Sequence, residues 1–134
     1  MRGSIIQSWV RCVIGGVVLT SGMTGCGDPE LVKILQAKAD ILSLETQVQA
    51  YFRRMGKYPT NSSGLADLVR NPDPGNGEWT KLLDELPKDP WGRGYQYPFP
   101  GSHSSKPFEI YSLGVKPSDP SQWIGNWQEW AKKE

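Results

Sequence analysis

A chain of 134 residues with a formal net charge of +1 is the size of one domain and lacks the basic excess that a nucleic-acid-binding face needs. With 37% hydrophobic and 22% charged residues, it is neither a disordered polyelectrolyte nor a polytopic membrane protein. Eleven prolines and fifteen glycines predict that much of the chain is loop.

In chain order, Arg2 and Arg11 give the start a positive charge, and the run from Cys12 to Thr20 is apolar. A membrane-spanning helix needs about 20 such residues, so this run is too short. Positive start, short apolar centre and small residues ahead of a cut together describe an export signal. Met23-Thr24-Gly25-Cys26 resembles a bacterial lipobox, in which the cysteine sulfur receives a diacylglyceryl group and the chain is cut just before it; Met23 stands where leucine is usual. Two other roles for Cys26 are weaker. Cys12, the only other cysteine, would leave with the signal, and Gly27, Asp28 and Pro29 are turn and cap residues rather than neighbours of a buried thiol. The remaining alternative is an ordinary cleaved signal with a leftover thiol. The expected organisation is a signal peptide over 1–25, lipid attachment and a short linker over 26–30, and a globular domain over 31–134. Losing Arg2 and Arg11 moves the net side-chain charge from +1 to −1.

Asp28-Pro29-Glu30 opens a helix, with a capping carboxylate, a proline at the first position and an acid near the positive end of the dipole. Leu31, Ile34, Leu35, Ile41, Leu42, Val48, Phe52 and Met55 predict one apolar stripe on a helix of roughly 25 residues, ended by Gly56. A second, short helix is expected over Gly64–Arg70, capped by Ser62 or Ser63, and a further turn or two between Trp79 and Leu86. Tyr95–Phe99 and Phe108–Leu113 alternate as strands, joined by the Gly101-containing loop into an antiparallel hairpin. Long helix first and small antiparallel sheet afterwards gives an α+β fold, with the helix packed on the sheet.

The segments AKADILSLETQVQAYFRRMGKYPT, GLADLV, LPKDPWGRGYQYPFPG, FEIYSLG and IGNW occur in the order seen in the major pseudopilin of the type II secretion system, which the chain resembles over Ala37–Trp127. The resemblance implies structural rather than catalytic roles for Asp89, Pro90, Trp91 and Gly92, for Ser112, Leu113 and Gly114, and for Ile124, Gly125, Asn126 and Trp127. Trp91 is expected in the core, Gly114 at the start of the last loop and Trp127 at the sheet's end. The departures are equally informative. Major pseudopilins begin with a prepilin peptidase site and a long apolar helix that packs the filament core; here the lipobox takes that place, so ordinary polymerisation is not expected. In the family the loop between Ser-Leu-Gly and Ile-Gly-Asn-Trp wraps a calcium ion. Here it is the short VKPSDPSQW, with Trp123 and Lys116 near the family's acidic positions. Leu113, Ser118 and Asp119 are the weak remnant of a calcium site, and the expectation is no metal and no cofactor.

Nothing points to catalysis. His103, the only histidine, is read as a solvated loop residue without an acidic partner. Two function classes remain. One is a membrane-anchored lipoprotein with a pseudopilin-like domain, a non-catalytic component of a secretion or pilus-like apparatus that meets other secretion-system proteins. It would be held in the bacterial cell envelope by its acyl chains, face the periplasm or cell surface, bind no nucleic acid and be monomeric as a soluble domain. The other is an exported carbohydrate- or protein-binding lipoprotein using Trp79, Trp123 and Trp130 as an exposed platform.

Overall fold

The computed structural model describes residues 27–131; the signal segment and Cys26 lie outside them. The chain divides at Val32–Lys33, and ahead of that point the described residues are the opening turn of the first helix. That helix, α1, runs Pro29–Met55. It starts as its sequence dictates: the Glu30 amide donates to Asp28 Oδ1 at 3.0 Å, satisfying one of the orphan donors of the first turn. It ends where Gly56 adopts φ +68°, with its amide bonded to the Phe52 carbonyl at 2.8 Å.

The buried face of α1 is Ala37, Ile41, Leu44, Val48 and Tyr51, spaced alternately by four and three. The expected stripe was broader and rotated from this seam. Leu31, Leu35 and Phe52 are exposed, while Ile34 and Met55 only flank the core. The apolar residues of α1 therefore populate two faces, and only the one centred on Ile41 and Leu44 is covered. Opposite it lie Leu65, Leu68, Tyr95, Phe108, Ile110 and Ile124. Each aliphatic side chain fully removed from water in this cluster contributes about 1.5–3 kcal/mol.

The short second helix is a 3-10 turn over Gly64–Leu68, and Ser63 precedes it without a side-chain cap bond. Between Trp79 and Leu86 there is no helix. The Leu82 and Leu83 amides both donate to the Leu68 carbonyl, at 2.9 and 3.0 Å, so a tertiary acceptor takes the donors a helix would have used.

The sheet is smaller than the alternation suggests. Strand β1, Tyr111–Ser112, pairs antiparallel with β2, Ile124–Gly125, in the register Tyr111 to Gly125 and Ser112 to Ile124. On its other side Tyr111 forms a single antiparallel bridge with Gln96. The expected hairpin is present as separate bonds, Glu109 amide to Pro98 carbonyl and Gly101 amide to Pro107 carbonyl, each at 3.2 Å. Proline at 98, 100 and 107 removes the donors that would have made a ladder of them. A long helix on a small antiparallel sheet is nevertheless the architecture expected from the sequence. Among the described residues no helix is long and apolar enough to cross a membrane.

Candidate functional site

The Asp-Pro-Trp-Gly and Ser-Leu-Gly segments meet through one buried carboxylate. Asp89 is 3% exposed. Its Oδ1 accepts the backbone amides of Trp91 at 3.1 Å and Arg93 at 2.8 Å, and its Oδ2 accepts the Ser112 hydroxyl at 2.6 Å. The Ser112 oxygen in turn accepts the Gly114 amide at 3.1 Å. Asp89 thus closes its own turn, in which Gly92 takes φ +84°, and fastens that turn to the end of β1. Trp91 is half-buried against the core rather than inside it, which corrects the expectation of a core tryptophan.

Gly114 stands at the neck of the following loop with φ +64°, and a Cβ there would lie 2.3 Å from the Gln122 carbonyl oxygen. Only glycine satisfies both constraints. The Gly114 carbonyl accepts a bond from Arg93 Nη2, a contact that sequence reasoning did not anticipate.

Asn126 extends the sheet by imitation. Its backbone amide donates to the Ile110 carbonyl at 3.1 Å, and its side-chain oxygen accepts the Ile110 amide at 3.2 Å. Gly125 leaves room for Trp127, whose ring carbons would stand 2.2 Å from a Cβ at that position. Gln128 then knots the segment: its Oε1 accepts the Gly125 amide at 3.2 Å and the Trp130 indole at 2.7 Å, while its amide donates to the Trp123 carbonyl at 3.0 Å.

His103 is not a free loop residue. Its ring lies 4.2 Å from that of Trp127 at an interplanar angle of 14°. Its Nδ1 is 2.8 Å from Oε2 of Glu109, which is itself fully buried. The His103 backbone amide also donates to Oε1 of that carboxylate. Burial raises the carboxyl pKa of Glu109, but the hydrogen bonds and charge of His103, with the Ser102 amide, outweigh it and leave the carboxyl below its ordinary range. The acidic partner was six residues away. Glu109 is fully buried between Phe108 and Ile110 because the 100–107 loop folds over it.

The three tryptophans of the platform reading are each engaged within the fold. Trp79 packs on the core and donates to the Asp67 carbonyl at 2.8 Å. Trp130 also packs on the core and bonds Gln128, and Trp123 stacks on Tyr111 with centroids 5.0 Å apart. No cluster of three or more His, Cys, Asp or Glu side chains exists among the described residues.

The donor set of the 113–126 loop does not fit calcium, which takes about 6–8 oxygen ligands with carboxylates among them. Asp119 is the loop's one acid, and its Oδ1 accepts both the amide and the hydroxyl of Ser121, at 3.0 and 2.7 Å. Those two bonds, the side-chain one first, hold its carboxyl below the ordinary range. The carboxylate caps the 3-10 turn Pro120–Gln122. The Pro117 carbonyl accepts the Trp123 indole at 3.1 Å. Ser118 is exposed, and Leu113 offers a carbonyl alone.

A family model described as "Type II secretion system (T2SS), protein G" matches residues 26–127. The core protein G of the type II secretion system of Pseudomonas aeruginosa is 38% identical over 107 residues, covering 74% of each chain. That of Vibrio cholerae is 34% identical over 132 residues, covering 92% of this chain and 89% of the relative, a span that extends into the residues ahead of Cys26. Among solved structures, the major pseudopilin of the type 2 secretion system of enterohaemorrhagic Escherichia coli superposes with a TM-score of 0.64 at 30% identity, covering 78% of this chain and 94% of that one.

Proposed function

Because the chain belongs to the type II secretion system protein G family, we propose that it is a non-catalytic structural component of a protein secretion apparatus in the bacterial cell envelope. The observation that carries this reading is the knot of motifs. The Asp89 turn, Ser112-Leu113-Gly114 and Ile124-Gly125-Asn126-Trp127 converge on one another, and their polar atoms bond inward to hold the domain's shape rather than outward to a substrate. Its partners are other components of that apparatus. The tryptophan-based ligand-binding reading has no such support, since all three half-buried indoles are engaged by partners within the fold.

In this proposal Cys26 carries a diacylglyceryl anchor, residues 1–25 are its signal peptide, and the domain faces the periplasm or cell surface. Two acyl chains suffice for stable membrane attachment. The anchored chain is monomeric or weakly self-associating, because the lipobox replaces the apolar helix through which relatives would pack. A second reading has one observation behind it: the match to the Vibrio cholerae relative covers 92% of this chain, so part of it falls on the segment ahead of Cys26. On that reading the segment is retained rather than cleaved and Cys26 is unmodified.

Incorporation of labelled palmitate, followed by membrane fractionation, separates the two. Label and membrane association in the wild type, both lost in Cys26→Ser, are the expected result. Equal membrane association of both forms without label would favour the retained segment instead. The secretion role itself is tested by deleting the gene and measuring exported proteins in the medium. Undiminished export would refute it.

A further inference from the structure

We propose that the guanidinium of Arg93 is a built-in cation that latches the 113–126 loop, making the loop independent of calcium. This inference goes beyond the secretion reading and does not rest on it.

The loop closes where Gly114 meets Gln122, so whatever fixes Gly114 fixes the neck. Both backbone groups of Gly114 are committed: its amide to Ser112 Oγ and its carbonyl to Arg93 Nη2. The second bond joins a permanently charged donor to a buried carbonyl, which makes it stronger than a neutral pair. Arg93 is well placed for it, because its own backbone is pinned by the Asp89 carboxylate and by the Asp89 amide, which donates to the Arg93 carbonyl at 2.7 Å. The latch therefore starts from a rigid base.

Electrostatics points the same way. Residues 113–126 contain one acid, Asp119, and one base, Lys116, and at the neck the Arg93 charge offsets the Asp89 carboxylate bonded to Ser112, so the loop region holds no net negative charge that would draw in a divalent cation. Lys116 also contributes to holding the Asp119 carboxyl low, after its bonds to Ser121. Towards the far end, Trp123 anchors the loop by stacking on Tyr111 and bonding Pro117. An arginine side chain is neither removed by chelators nor deprotonated at any physiological pH.

The test uses the full chain in non-ionic detergent, with Arg93→Ala and Arg93→Lys beside the wild type. Thermal melts are run in millimolar calcium and in chelator, and hydrogen exchange is followed across 113–126. Wild-type melts should superimpose in the two buffers. Arg93→Ala should melt about 5–10 °C lower, equally in both, with loop amides exchanging on the order of ten-fold faster. Arg93→Lys, which keeps the charge and a donor, should recover part of both losses. A wild-type melt several degrees higher in calcium, abolished by Asp119→Ala, would overturn the proposal, as would unchanged loop exchange in Arg93→Ala. The wild-type comparison decides the calcium question even if Arg93→Ala fails to fold.

Discussion

Replacing Asp89 by alanine is the most informative single perturbation of this fold. The carboxylate receives three donors, the amides of Trp91 and Arg93 and the hydroxyl of Ser112, at a site 3% exposed to solvent. Alanine leaves all three without an acceptor. An unsatisfied buried donor costs about 1–3 kcal/mol, but the two amides lie in a partly exposed turn that water can reach. The expected loss is therefore about 3–4 kcal/mol, a large share of the 5–15 kcal/mol that stabilises an ordinary domain. Asp89→Asn should cost less, about 1–2 kcal/mol, because its carbonyl oxygen can still accept the amides. Its amino group, however, faces a Ser112 oxygen already accepting from Gly114. Ser112→Ala removes one link of the same chain, so the double variant Asp89→Ala/Ser112→Ala should destabilise by clearly less than the sum of the singles. Guanidinium denaturation followed by tryptophan fluorescence measures the four variants beside the wild type. Strict additivity, or Asp89→Ala within about 0.5 kcal/mol of wild type, would refute the reasoning, since surface changes behave that way.

His103→Ala should cost about 1–3 kcal/mol by leaving Oε2 of the buried Glu109 carboxylate without its imidazole partner, more than a solvated loop histidine would, and denaturant melts check it. Because the folded-state Glu109 carboxyl is held low, its contribution is fully present above the unfolded carboxyl pKa. That contribution should vanish as pH falls through the folded value, which melts taken at successively lower pH will show as a loss absent from Glu109→Gln. Trp91→Ala, at a half-buried ring, should fall below the usual 3–5 kcal/mol of a fully buried aromatic, at about 2 kcal/mol. Gly125→Ala should displace Trp127 from its place above the glycine, reported by a shift in tryptophan emission and a melt lowered by several degrees.

The elements governed by local chemistry were legible in the sequence. Asp28-Pro29-Glu30 starts α1 and Gly56 stops it, because caps depend on a few adjacent residues. The inward face of α1 was less legible. Apolar residues fill two faces, and Leu31 and Leu35 look as good as Ile41 and Leu44 until something packs on one side. The strand pattern was visible at Tyr95–Phe99 and Phe108–Leu113, but proline spacing reduced it to isolated bonds. Trp79–Leu86 misled because the Leu68 carbonyl, far back in the chain, captured its donors. Arg93 and Gln128 left no sequence signal at all, since both act through contacts that exist only once the turns have formed.

Two paired strands of two residues each cannot hold a loop-rich half of a domain by backbone ladders alone, and side chains take over that task. Asn126 presents its amide oxygen to the Ile110 amide where a neighbouring strand would present a carbonyl. Asn61 accepts the Phe99 amide at 2.7 Å and donates to the Phe99 carbonyl, completing a pair of bonds like those of an antiparallel strand. Asp89 and Gln128 do the same work at turns. This accounts for the chemistry of the motifs: short Asp and Asn side chains reach only one or two bonds from their own backbone, so each can replace a strand partner at a fixed place and nowhere else. It also sets an order of sensitivity. Exchanging the exposed Leu31 or Leu35 for a polar residue of similar size should leave the melting temperature nearly unchanged. Asn126→Asp should lower it by several degrees, because the change puts a charge at a fully buried position. If instead both kinds of substitution shifted the melt alike, packing along α1 rather than these side-chain bonds would be what holds the sheet.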